Sequence, residues 1–283
     1  MSASVRPAEQ RLSLNQKTVN HLGLAAAIDL CRRHGIESIG VWREPLAEVG
    51  LQTAARMLRG SGLRVSSLCR GGWFTATGAA FDEALAENRR AVDEAAALAA
   101  DCLCLVVGGL PPGSTDLVGA RTQMARALDA LVPYAAERGV RFALEPMHPI
   151  FAADRGVLST LAQALDLAED YPAETVGVMV DTYHVWWDPA LAEQVARAGA
   201  AGRIASYQVC DWMLPLAADA LLSRGMMGDG HIDFAAITAM VSASGYAGDV
   251  EVEIFNADIW AADPDQTVTL MKQRYLDLVA PRL

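Results

Sequence analysis

Four apolar runs in this chain end in side chains that titrate or coordinate. "RFALEPMHP" (141–149) closes on Glu145, with His148 three residues later, and "VGVMVDTYHVWW" (176–187) delivers Asp181 and then His184. "IASYQVCDW" (204–212) ends in Gln208 and Asp211, and "DVEVEIF" (249–255) alternates Val250 and Val252 with Glu251 and Glu253. An ionised carboxylate without a partner in such a place is costly, and three together repel one another. A divalent cation is the simplest compensation, since it satisfies several oxygen ligands at once. Each residue also has a plain structural reading. Glu145 could be a helix N-terminal charge or a partner of Arg155, Asp181 could cap the turn that follows it, and one of the two glutamates could be solvated or paired at the start of its strand. Those readings would all have to hold independently.

The elements that must position these groups alternate along the chain. Strands are predicted at 12–15, 38–42, 64–68, 102–107, 141–145, 176–181, 204–209 and 249–254. Most are continuous apolar runs, as in a parallel sheet covered on its outer face by helices. Helical segments are predicted near 21–34, 46–60, 80–100, 115–138, 159–170, 189–199, 233–244 and 264–279. Val268, Met271, Tyr275 and Leu278 form one helical stripe, and Phe81, Leu85, Val92, Ala95 and Ala99 another. Gly35, Gly62, Gly139 and Gly245 stand where helices close before the next strand. Eight such units predict an α/β fold, a (β/α)8 TIM barrel, as one domain over 1–283. A doubly wound open sheet is the alternative, but the first βα turn lacks G-x-G-x-x-G, and "VVGGLPPG" (106–113) has no Lys-Ser/Thr for a phosphate. In a barrel of this kind the reactive groups sit at the C-terminal ends of the strands, where all four runs place theirs.

Composition narrows the function classes. A net charge of −11 over 283 residues argues against nucleic acid, which needs clustered Lys and Arg. The N-terminal "MSASVRPAEQR" lacks a signal peptide's apolar core, and no run approaches the roughly 18 apolar residues of a membrane span. Cysteines 31, 69, 102, 104 and 210 are odd in number and lie mostly in apolar runs, which predicts small buried thiols and a cytoplasmic location.

"LEPMHP", "VDTYHVWW", "QVCDW", "GDGHIDF" and "GYAGDVEVEIF" together resemble the sugar phosphate isomerase/epimerase family of xylose isomerase-like barrels, over nearly the whole chain. That group includes ketose 3-epimerases, hydroxypyruvate isomerases and inosose dehydratases. The resemblance implies one divalent metal held by Glu145, Asp181, Gln208 and Glu253. Glu253 is chosen over Glu251 because the family's glutamate lies five residues after the second glycine of G-Y-x-G, here Gly248. It also implies Glu145 and Glu253 as the acid/base pair and His184 as an imidazole that contacts substrate. The family's histidine is Gln208 here. An all-oxygen set favours Mn²⁺ or Mg²⁺ and removes the imidazole that suits Zn²⁺. Asp211 then supports a ligand or contacts substrate.

Such a site would hold a carbonyl beside a hydroxyl, acidify the C–H between them and stabilise an enediolate. The expected activity is therefore a metal-dependent isomerase or epimerase of a small sugar or keto-sugar. A lyase on a keto-sugar or keto-inositol, including 3-keto-glycoside cleavage, is the alternative, as is a non-catalytic sugar-binding barrel. A metal-dependent endonuclease is disfavoured by the charge and the scarcity of His. Trp42, Arg43, Arg70, His148, Arg155 and Arg224 are the pocket candidates, with Trp42, Trp186, Trp187 and Trp212 as an apolar wall. Asp233 would cap a helix, and Met226 and Met227 would form an adaptable lid or a subunit contact. The expected partner is an unphosphorylated carbohydrate, with no nucleic acid and no membrane; the resemblance implies a homodimer or homotetramer.

Overall fold

The computed structural model describes residues 6–283. Eight of its strands run parallel and close into a barrel: β1 (Leu12–Asn15), β2 (Ser38–Trp42), β3 (Arg64–Gly72), β4 (Leu103–Val106), β5 (Phe142–Leu144), β6 (Val176–Asp181), β7 (Ile204–Val209) and β10 (Val250–Val252). Between β7 and β10 the chain adds a small antiparallel pair, β8 (Asp211–Trp212) and β9 (Arg224–Gly225), which the sequence pattern did not predict. The barrel is the expected (β/α)8 fold. Each crossover carries at least one helix, because parallel neighbours cannot be joined by a tight turn.

Local signals fix most helix limits. Asp116, Thr160, Asp233 and Asp263 each accept a hydrogen bond from a backbone N–H of the first turn that follows, so Asp233 is the cap the sequence indicated. Gly35, Gly62, Gly139 and Gly245 all have positive φ, as helix-closing glycines do. Two expectations need correcting. The helix predicted at 46–60 is two, Arg43–Val49 and Leu51–Ser61, parted at Gly50 with φ of 78°. Ala99 leaves its predicted stripe because it ends the helix in a left-handed conformation, φ 53°, and is exposed.

The large apolar core lies between the barrel and its helices. Inside the barrel is a second, small cluster of Trp42, Cys69, Cys102, Cys104, Ala143 and Met179. All five cysteines are free and buried, as small core residues should be. The rest of the interior is polar. Register places Asp181 opposite Gln208, Gln208 opposite Glu251, and Glu251 opposite Ser13, so neighbouring strands direct these side chains inward as one row. Gly40 makes room for that row, because a Cβ there would lie 2.6 Å from the Glu251 carboxylate. Among the described residues, no helix is long and apolar enough to cross a membrane.

Candidate active site

Glu145 follows β5 directly, Asp181 ends β6, Gln208 is the penultimate residue of β7, and Glu253 follows β10. All four are buried; Glu145, Asp181 and His184 place ligand atoms within 4.8 Å of one another, and Arg224 bridges Asp181 to Glu253. Glu145, Gln208 and Glu253, with Arg224, lie in the wall of a cavity of about 220 Å³ at the C-terminal mouth, and Asp181 sits behind it against Arg224. A larger cavity, about 340 Å³, opens at the other end of the barrel. Of the acids in its wall, Asp249 is paired with Arg6 and Arg64, Glu251 is held by hydrogen-bond donors and Asp101 is exposed, so the site is the smaller one.

Arg224 lies at the heart of the site. Its Nη1 is 2.8 Å from Glu253 Oε2 and 3.2 Å from Asp181 Oδ2, and its Nη2 is 3.2 Å from His184 Nε2. Tyr183 and Phe255 face the guanidinium at 4.8 and 4.9 Å. Burial alone would lower its pKa, but Asp181 and the other acidic neighbours raise it well above the usual range, so it is a fixed cation. One such charge does not compensate the cluster. Burial pushes the Glu145 carboxyl up to about 7, with Arg224 and Arg70 opposing. It pushes Glu253 up to about 8, opposed by Arg224 and reinforced by Glu145 and Asp181.

His184 is neutral, since burial holds its pKa down to about 3. Its Nδ1 accepts the backbone N–H of His148 at 3.2 Å, which places the proton on Nε2, 3.3 Å from Glu145 Oε1, so the Arg224 Nη2 contact with that nitrogen is not a hydrogen bond. Glu251 is not solvated. Asn15, Ser66, Ser67 and Gln208 all donate to it, Asn15 Nδ2 at 2.6 Å and Gln208 Nε2 at 2.8 Å. Burial still raises its pKa against those four donors. With Nε2 committed to Glu251, the Gln208 amide keeps its oxygen as the free end.

Several predicted contacts fall elsewhere. Asp211 does not touch the cavity. Its carboxylate accepts from the N–H groups of Trp212, Gly228, Gly230 and Ile232 at 2.8–3.0 Å, and so ties down the loop after Arg224. His148 stacks on Trp212 at 4.6 Å and meets Trp187 at 5.5 Å, so it supports His184 from behind rather than facing a ligand. Trp186 packs on Trp212 in that same stack, behind the site. Met226 and Met227 are buried in the core and form no lid. Arg43 is turned away to Glu87 and Glu94. Glu145 does not pair with Arg155, which meets Asp154 and Asp219. Trp42, Arg70 and Arg155 do line the cavity.

Sequence reasoning missed Lys17, Trp73 and Phe255, which also line it. "SLNQKTV" follows the first strand, so Lys17 could have been found by treating every strand end alike.

Residues 28–274 match the xylose isomerase-like TIM barrel family. The chain belongs to that family. Protein SMc04130 from Sinorhizobium meliloti 1021 is 47% identical, the match covering 95% of this chain and 98% of that one at a TM-score of 0.92. The IolI protein, whose crystal structure has a bound zinc atom, shares the fold at a TM-score of 0.84 with 20% identity, covering 96% of this chain and 99% of its own. An L-ribulose 3-epimerase from Mesorhizobium japonicum is 28% identical over 127 residues, 45% of this chain. That match spans only 39% of the enzyme's own length.

The titration of this xylose isomerase-like barrel yields a stability prediction. Glu145 and Glu253, at about 7 and about 8, hold protons more tightly folded than unfolded. Their stabilising effect is complete below the ordinary carboxylate range and is lost as pH rises through those values. His184, depressed to about 3, works the other way, but its effect is exhausted above the ordinary His value. Thermal melts in chelator should therefore show stability falling from pH 6.5 to 8.5 by about 2 kcal/mol. A flat profile across that window would contradict the electrostatics described above.

Proposed function

We propose that this barrel is a metal-dependent isomerase or epimerase of a small ketose or keto-sugar. The observation that carries the reading is the pair of buried glutamates, Glu145 and Glu253, held near neutral pKa at the mouth of one cavity beside Asp181 and His184.

The residues present fit a divalent ion. Once ionised, Glu145, Asp181 and Glu253 would carry three negative charges against one from Arg224, leaving two for a divalent ion to balance. Those carboxylates and the Gln208 amide oxygen would hold it, an all-oxygen set suited to Mn²⁺ or Mg²⁺. Bound there, the ion would polarise a substrate carbonyl and acidify the adjacent C–H.

The chain's own groups do the rest. A carboxyl with a pKa near working pH both accepts and returns a proton efficiently; burial raises Glu145 and Glu253 towards that range in the metal-free protein, and a bound cation would draw both back down. Proton removal by one and delivery by the other inverts a centre, and transfer between adjacent carbons interconverts aldose and ketose. His184, neutral and oriented by the His148 N–H, donates from Nε2 to an oxygen on which charge develops. Trp42, 7% exposed, offers an apolar face in the cavity wall, its indole N–H held by Asn15 at 2.8 Å.

Incubation with candidate ketoses in deuterated water should give product bearing carbon-bound deuterium. Loss of water or release of an aglycone would assign a lyase instead. Gln208→Leu should weaken metal affinity by about ten- to a hundredfold, while Gln208→His should keep it and shift preference towards softer ions. Unchanged metal titration in Gln208→Leu would remove Gln208 from the ligand set.

A further inference from the structure

Two cations in the cavity wall make no ion pair among the described residues. Arg70, near the end of β3, makes no ion pair and donates no hydrogen bond from its guanidinium among the described residues; it lies over Trp73 at 4.9 Å. Lys17 follows β1, and its Nζ lies 4.4 Å from the Trp42 ring centre and 5.9 Å from Phe255. Its one hydrogen bond is to the Asn20 amide oxygen at 3.0 Å. Both side chains line the cavity that holds Glu145 and Glu253.

This pairing is unusual for the chain. With a net charge of −11, acids are in excess, and most buried or half-buried arginines here are paired or donate to backbone carbonyls. An aromatic face holds a cation in place by its quadrupole without cancelling its charge. Arg70 and Lys17 therefore keep their charge in the cavity wall. Arg155 also borders it, but is shared between Asp154 and Asp219. Glu44 is the one acid on this side of the wall; burial lowers the Arg70 pKa and Glu44 partly opposes it, but Glu44 is exposed and makes no ion pair with Arg70.

The deeper cluster does not absorb these two charges. Once ionised, the three carboxylates would be balanced by Arg224 and a divalent ion, so Arg70 and Lys17 would stand as extra positive charge at the mouth, offset in part by the exposed Glu44. A neutral sugar gives that surplus no counter-charge. A planar carboxylate or a phosphate matches the guanidinium fork and the ammonium beside it.

We propose that the substrate carries an anionic group, carboxylate or phosphate, at the end remote from the reacting carbons, and that Arg70 and Lys17 bind it. The cavity, about 220 Å³, suits a single acidic monosaccharide or smaller keto acid rather than an oligosaccharide. The inference rests on the isomerase reading only for which end of the substrate reacts.

Binding by calorimetry to the Mn²⁺-loaded protein tests it with three matched probes: D-fructose, D-fructuronate with its terminal carboxylate, and fructose phosphorylated at that same carbon. One of the two anions should bind at least about tenfold more tightly than fructose, and which one does so names the group. Arg70→Gln should lower the anion-to-neutral affinity ratio by about ten- to a hundredfold. Arg70→Lys should retain much of that ratio, which a merely structural role would not produce, and Lys17→Met should lower it independently. Equal binding of all three probes, or a ratio untouched by Arg70→Gln, overturns the proposal. Deuterium exchange on the same probes separates the two readings. Exchange into neutral fructose with no anion preference sinks the anionic substrate and leaves the isomerase. Arg70-dependent anion binding with no exchange into any probe leaves the anion site and sinks the isomerase.

Discussion

Glu253→Gln is expected to lose solvent-deuterium incorporation by about a hundred- to ten-thousandfold, the range in which positioned acid–base groups act. The amide can neither take nor return a proton, yet it has nearly the carboxyl's shape and still accepts from Arg224 Nη1, now 2.8 Å from Oε2. Glu253 is also a proposed ligand, so metal content must be measured alongside. Residual exchange that stays low at saturating Mn²⁺ assigns the loss to proton transfer, and recovery under those conditions assigns it to metal holding. Glu251→Gln provides the contrast. Glu251 accepts from Asn15, Ser66, Ser67 and Gln208, so an amide there would turn an N–H group towards donors. That substitution should destabilise the barrel by about 1–3 kcal/mol, an unsatisfied buried group's cost. Exchange that falls as steeply per folded molecule in Glu251→Gln as in Glu253→Gln would mean the wrong glutamate has been assigned.

Arg224→Met is expected to cost the metal-free protein about 3–5 kcal/mol, because it strips the counter-charge from a buried pair. Asp181 and Glu253, 1% and 4% exposed, would face each other and Glu145 with no guanidinium between them. The loss should shrink when Glu253→Gln is added, since the second change removes one of the abandoned charges, and a double-mutant cycle on chemical denaturation measures that coupling. Saturating Mn²⁺ should also restore part of the stability. Single and double variants of equal stability would show that Arg224 contributes packing against Tyr183 and Phe255 rather than charge.

Much of this was readable from the chain because strand-end position is a local property. Glu145, Asp181, Gln208 and Glu253 each close an apolar run, and the alternation with helical segments fixes the end at which they meet. The partners of those groups have no local signature. Asn15 and Glu251 are 236 residues apart, and Arg64 reaches Asp249 across 185. Asp211 misled for a related reason. Its four N–H donors come from its neighbour Trp212 and from a loop some twenty residues on, so a motif position alone could not tell a substrate contact from a loop anchor. The antiparallel pair β8 and β9, two residues each, is below the length at which alternation can be seen. Yet it is what carries Arg224 inward.

The wall of the cavity is divided by strand number. Lys17, Trp42 and Arg70 come from the loops and ends of β1 to β3, whereas Glu145, Gln208 and Glu253 come from the ends of β5, β7 and β10, with Asp181 of β6 behind them. The half that would bond to reacting atoms and the half that would grip the remainder of the molecule thus lie on separate arcs of the chain. Mutation in the early loops can therefore drift towards a new clientele while the later arc stays untouched. A barrel divided in this way is a platform for divergence, in which one reaction can be inherited intact and its customers exchanged.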